Sequence, residues 1–176
     1  MVPKIRNLLY ATDLSKNSAY AFRYAVNSAE HHKAKIHILH VLDNRESQGS
    51  LWGGAFPQVS QAELDKAYLK RKSTLKKEIK KRLDDFCKEE LKNKPTSLKR
   101  VASIQVIEGD PAGEILKKAD EWKADMLILG SHGKGSLEHA FLGSVAEKVL
   151  QRIESPVFII PLPKGRDGNL SEIWIG

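Results

Sequence analysis

The sequence predicts a doubly wound α/β fold: a five-stranded parallel sheet of strand order 3-2-1-4-5 with helices on both faces. Three observations predict it. Strand-like and helix-like segments alternate along the 176 residues, and such alternation favours parallel strands joined by helical crossovers. The run Met126 to Leu129 is short, unbroken and apolar, as expected for a strand covered on both faces. Gly130, Gly133, Gly135 and Gly143 then follow within fourteen residues, more glycine than a turn needs. Right-handed crossovers with one reversal give the stated order and put the reversal between the first and fourth strands.

Each element has a local reason. Ile5 to Ala11 reads as the first strand and closes in Thr12-Asp13-Leu14-Ser15, where Ser15 or Asp13 can cap the next helix. Tyr20, Tyr24 and Ala25 are candidates for that helix's inner face. Lys35 to Asp43 is the second strand. Its His37 and His40 fall on opposite faces, so they read as boundary histidines and not as a metal pair. Residues 44–59, with Trp52, Gly53, Gly54, Phe56 and Pro57, form a long connection, either mobile or used as a lid or partner contact. Ser60 with Glu63 is a capping box opening a helix to about Lys92. Leu64, Tyr68, Leu75, Ile79, Leu83, Phe86 and Leu91 give that helix one apolar stripe. Val101 to Glu108 is the third strand. Asp110 caps the following helix with Pro111 at its first position, and Ala112, Ile115, Leu116, Ala119 and Trp122 supply its inner face. A second Ser-x-x-Glu pair, Ser144 and Glu147, reads as another capping box, and Pro156 to Pro161 is the last strand.

Composition narrows the function. A hydrophobic share of 41% and a charged share of 29% suit one globular domain, residues 1–163, followed by a tail, 164–176. No run is long enough to span a bilayer, Met1 to Leu14 lacks a signal pattern, and the single cysteine, Cys87, fits a reducing cytoplasm. Cys87 reads as a core or boundary residue and not as a reactive thiol. The net charge of +7 is local: residues 66–100 hold 14 Lys or Arg against 5 Asp or Glu. These lysines fill the outer face of one helix without interleaved aromatics, which argues for a solvated surface and against nucleic acid.

The glycine loop decides the rest. It is neither a P-loop, since Gly135 follows Gly133-Lys134, nor a dinucleotide fingerprint, since position 138 is Glu138. It does fit Gly-x2-Gly-x9-Gly-Ser at Gly130, Gly133, Gly143 and Ser144. On these residues the chain resembles the universal stress protein family, in its ATP-binding branch. The resemblance implies ATP, or AMP or ADP, with adenine against the main chain of Val41. Ribose would lie near Asp13 and Gly130, and phosphates near Gly133, Gly143, Ser144 and Val145, with Ala11 and Thr12 also among the nucleotide-binding residues. His132 either touches phosphates or is simply exposed. The resemblance makes Asp13 a ribose or Mg²⁺ contact, in preference to its plain reading as a helix cap. Lys134 either neutralises phosphate or points to solvent.

Topology supports the same crevice, because Asp13 ends the first strand and Gly130 the fourth, at the reversal where ligands bind in such sheets. No residue pattern marks Asp13 or His132 as a base, so slow or absent hydrolysis is expected, with occupancy acting as a regulatory switch. The rival reading is an interaction protein using the lysine-rich helix or the Trp52 loop, with nucleotide incidental. A nucleotidyl-transfer enzyme of similar architecture would carry a serine- and glycine-rich loop where Ala11 to Ser15 stands. The apolar run Val157 to Ile160 lies at the sheet edge, where a second copy could add its own strand, as family members often do. Ile173-Trp174-Ile175 would pack on the core or on that second subunit.

Overall fold

The computed structural model describes residues 2–43, 60–133 and 142–161. Strands β1 (Asn7–Thr12), β2 (Lys35–Asp43), β3 (Val101–Gly109), β4 (Met126–Gly130) and β5 (Val157–Ile160) form one parallel sheet in the order β3-β2-β1-β4-β5. The predicted fold class is therefore the observed one. Registers such as Leu8 with both Ile36 and Met126 place β1 at the centre, and a bulge at Ile36/His37 offsets β3 by one residue.

The β1 sequence NLLYAT is buried on both faces, which is why it lacks the alternation of a half-solvated strand. Leu8, Tyr10, Ile36, Ile38 and Leu42 point to one layer, formed by α1 (Lys16–His32) and α2 (Gln61–Glu90). Leu9, Ala11, Leu39, Leu127 and Leu129 point to the other, formed by α4 (Pro111–Glu121) and α5 (Ser144–Leu150). Phe22 links the first layer, its ring 5.4 Å from Tyr10 and 5.2 Å from Phe86. A short helix, α3 (Pro95–Leu98), turns the chain into β3; it escaped the sequence reading because four residues carry no periodicity.

Two packing expectations need correction. Tyr24 is exposed, not inward, its hydroxyl 3.2 Å from that of Tyr20 on the helix surface. The apolar stripe of α2 is buried only in its second half, through Ile79, Leu83, Phe86 and Leu91, whereas Leu64 and Leu75 are exposed. A helix of 30 residues at 1.5 Å each overshoots a nine-residue strand, so its first turns have no sheet beneath them. Lys72 and Lys76 both reach Glu108 at the end of β3, marking the level at which that support begins. Burial raises the Glu108 carboxyl pKa, but the hydrogen bonds from Lys72 and Lys76 outweigh it and hold the carboxyl below its usual range.

Cys87 is buried, and burial pushes its thiol up to about 12, as its reading as an unreactive core residue requires. On β5, Phe158 is exposed at the sheet edge. No described helix is long and apolar enough to cross a membrane. The Trp52 connection, Lys134 and the Ile173-Trp174-Ile175 tail lie outside the described residues.

Candidate functional site

A cleft of about 510 Å³ opens at the carboxyl ends of β1, β2 and β4, where the sheet order reverses. Ligand pockets span roughly 300–1,000 Å³. The cleft gathers all ten residues singled out from sequence: Ala11, Thr12, Asp13, Val41, Gly130, His132, Gly133, Gly143, Ser144 and Val145. More than a hundred residues separate the two ends of that set, so the topology alone assembles it.

The first wall is the turn after β1. Ser15 is the cap of α1, its hydroxyl accepting from Ser18 N–H at 3.2 Å. Asp13 is therefore not the cap. Its Oδ1 accepts from Ser15 N–H at 3.0 Å and from Ser15 Oγ at 2.6 Å, an Asx turn, and this fixes the carboxylate. Its Oδ2 faces Gly133, where a Cβ would come within 2.6 Å. Any side chain at 133 would displace the carboxylate. Leu14, with φ 68°, completes the turn in left-handed backbone that a leucine rarely adopts.

The second wall is the glycine loop, held from beneath by Asn17, which the sequence reading missed. Asn17 Nδ2 donates to the His132 carbonyl at 2.9 Å, while Asn17 Oδ1 is buried with no hydrogen-bond partner among the described residues. A Cβ on Gly130 would meet Asn17 Nδ2 at 2.9 Å, so the glycine there serves this anchor. The loop ends are tied together by Gly143 N–H donating to the Ser131 carbonyl at 2.7 Å, and Ser131 N–H donates to Ile160 at 2.9 Å. Ser131 Oγ lies 2.8 Å from His132 Nδ1. An asparagine in a first helical turn carries no periodic signal; only its side-chain amide, buried beside β4, gives the role away.

The expected capping box at Ser144 does not form. Gly143 itself holds the extended cap position, φ −71° and ψ 151°, and makes no side-chain cap bond. Ser144 is thus one step inside the helix, and Glu147 sits a residue too late to reach back. Gly143 N–H is spent on Ser131, so it is not an open donor. The N–H groups of Ser144, Val145 and Ala146, all lining the cleft, have no partner among the described residues. Three open amides facing a cleft suit a ligand rich in acceptor oxygens.

The third wall combines Val41 at the end of β2 with Pro111 and Ile115 of α4, an apolar surface opposite the loop. His40 Nδ1 lies 2.7 Å from the Thr12 carbonyl and ties β2 to β1 at the mouth. His40 is buried, not a boundary residue as expected. His37 does sit at the boundary, against Trp122 at 5.2 Å and Ser103 Oγ at 2.8 Å, and burial and then Lys35 lower its pKa. Among the described residues no three His, Cys, Asp or Glu form a metal cluster.

A parallel sheet wound in both directions, with a cleft at its reversal, defines the class: a doubly wound α/β protein. The model of the universal stress protein family matches residues 4–161, and the chain belongs to that family. Universal stress protein YxiE of Bacillus subtilis is 33% identical over 156 residues, 87% of this chain and 97% of the relative. Universal stress protein MJ0577 of Methanocaldococcus jannaschii is 29% identical over 160 residues, 88% of this chain and 94% of the relative. The solved structure of MJ0577 superposes with a TM-score of 0.73 at 26% identity, covering 93% of this chain and all of that one. A universal stress protein solved in complex with cAMP shares the fold at a TM-score of 0.50, 21% identity, 90% of this chain and 98% of that one.

Proposed function

We propose that the protein is a stress-response regulator of the ATP-binding branch of its family, holding ATP in the cleft at the sheet reversal. One observation carries the reading. The residues at the Gly-x2-Gly-x9-Gly-Ser spacing and Asp13 line one cavity of about 510 Å³, and the amides of Ser144, Val145 and Ala146 lack partners there among the described residues. Adenine lies on the Val41, Pro111 and Ile115 wall. Ribose meets Asp13 and Gly130, and phosphate oxygens accept from Ser144 and Val145 beside Gly133 and His132.

The fit extends to a cation. With Oδ1 held by Ser15, Asp13 presents Oδ2 toward Gly133 at the proposed phosphate side, so a Mg²⁺ carried by the nucleotide would find one carboxylate there. AMP and ADP fit the same walls with fewer acceptors for the open amides. Asp13 is engaged by Ser15 and His132 by Ser131 Oγ, and on this reading occupancy rather than turnover is the signal. That signal requires one conformation or assembly to bind nucleotide better than another. The exposed Phe158 on β5 supplies the assembly: a second copy adds its own fifth strand, and the homodimer works in the cytoplasm.

Two measurements test this. Mass analysis of small molecules released from the purified protein should find adenine nucleotide, and calorimetry should give saturable ATP binding. Gly143→Val drives a side chain against the loop backbone, where a bare Cβ already meets His132 Cα at 3.4 Å. Its ATP affinity should fall about a hundredfold, the worth of two charge-assisted hydrogen bonds. ATP affinity equal to wild type in a folded Gly143→Val variant would defeat the assignment.

A further inference from the structure

We infer that the cleft continues into a second lobe on the opposite face of the sheet, and that this lobe binds a small anion with an apolar body. Side chains alternate faces along a strand. Val41, Ile115 and Val145, proposed nucleotide contacts or their wall, belong to the α4/α5 layer. Leu14, Leu42 and Ile79 belong to the α1/α2 layer, yet line the same cavity. The cavity therefore passes over the strand ends from one face to the other, and Leu42, Ile79 and Arg82 line it beyond the residues of the nucleotide motif.

The second lobe has a chemistry of its own. Leu42 and Ile79 are buried, while Leu75, one turn earlier on α2, is 41% exposed and leaves the apolar wall open. Leu14 joins that wall from its left-handed turn, held there by its N–H donating to Thr12 Oγ1 at 3.1 Å. Arg82 stands one turn beyond Ile79. Among the described residues lining the cavity it is the one Lys or Arg. Its neighbours Lys72, Lys76 and Lys88 are matched by Glu108 and Asp84, whereas Arg82 joins no ion pair among the described residues. A guanidinium beside a partly open apolar pocket complements one carboxylate or sulfonate attached to an apolar body. An uncharged ligand would leave that guanidinium unmatched. A nucleotide's phosphates have their open amides across the sheet.

Fluorescence titration of the full chain tests the lobe with two probes, anilinonaphthalene sulfonate and its uncharged analogue N-phenylnaphthylamine. Saturable one-to-one binding of the sulfonate is expected, undiminished by saturating ATP and retained in Gly143→Val. Arg82→Gln should weaken the sulfonate about tenfold while leaving the uncharged probe within about twofold, because only one charge-assisted contact is lost. Leu75→Asp should weaken both probes. No saturable binding to the full chain, competition by ATP, or equal sulfonate affinity in Arg82→Gln would each overturn the inference.

Discussion

The chain carries the pattern Ser-x-x-Glu ahead of two helices, and the two sites end differently. At α2 the box closes: Ser60 Oγ accepts from Glu63 N–H at 3.4 Å, and Glu63 Oε2 accepts from Ser60 N–H at 3.1 Å. At α5 the same letters lie one residue inside the helix, glycine takes the cap, and three amides are left open to a cleft. At the first helix start two backbone donors, Ser60 N–H and Glu63 N–H, are satisfied by the box's own side chains. The second is left for something else to satisfy. A helix terminus with orphan donors is a cost unless a partner is supplied, so the incomplete cap is the informative one.

Breaking the comparison from the α5 side has the largest expected effect. Gly143→Val should lower ATP affinity about a hundredfold, measured by calorimetry. Gly143→Ser sharpens the contrast, because a serine hydroxyl at this backbone conformation accepts from Val145 or Ala146 N–H. It should gain a few tenths of a kcal/mol of stability in urea unfolding while losing about tenfold in ATP affinity. Stability and binding moving in opposite directions is the signature sought; a loss of both would point to simple misfit. From the α2 side, Ser60→Ala should cost about 1 kcal/mol in the same unfolding experiment and leave ATP affinity unchanged.

Most of the fold was legible because its signals are local and repeated. The strand β4 is an unbroken apolar run, β1, β2 and β3 are rich in branched apolar residues with clear boundaries, and Asp110-Pro111 marks a helix start from two residues alone. The candidate site was legible as a spacing, since Gly130, Gly133, Gly143 and Ser144 keep fixed offsets. What escaped depends on the third dimension. Glycine at 130 makes room for Asn17, and at 133 for Asp13, so each marks a protein–protein contact before any ligand contact. Neither contact has a sequence signature, because partners more than a hundred positions apart meet only through the sheet order. The exposed first half of α2 escaped for a related reason: periodicity records which residues share a face, not whether anything lies opposite it.

The smallest predicted effect concerns pH and a site remote from the comparison. Burial and Lys35 depress the His37 pKa in the folded state, so the unfolded chain binds its proton more readily. The contribution of neutral His37 is present above the unfolded value near 6.5 and fades as pH falls through it. His37 is only partly buried, so replacing it with Gln should flatten the urea-midpoint profile between about pH 7 and pH 5 by a small margin, with ATP affinity at pH 8 unaltered.

The most direct measurement follows individual amides by ¹⁵N-correlated NMR during an ATP titration. The N–H resonances of Ser144, Val145 and Ala146 should shift together and saturate with ATP, more than with adenosine, while Glu63 N–H at the closed box stays in place. ATP that binds without moving those three resonances would contradict the claim that the open cap holds the phosphates.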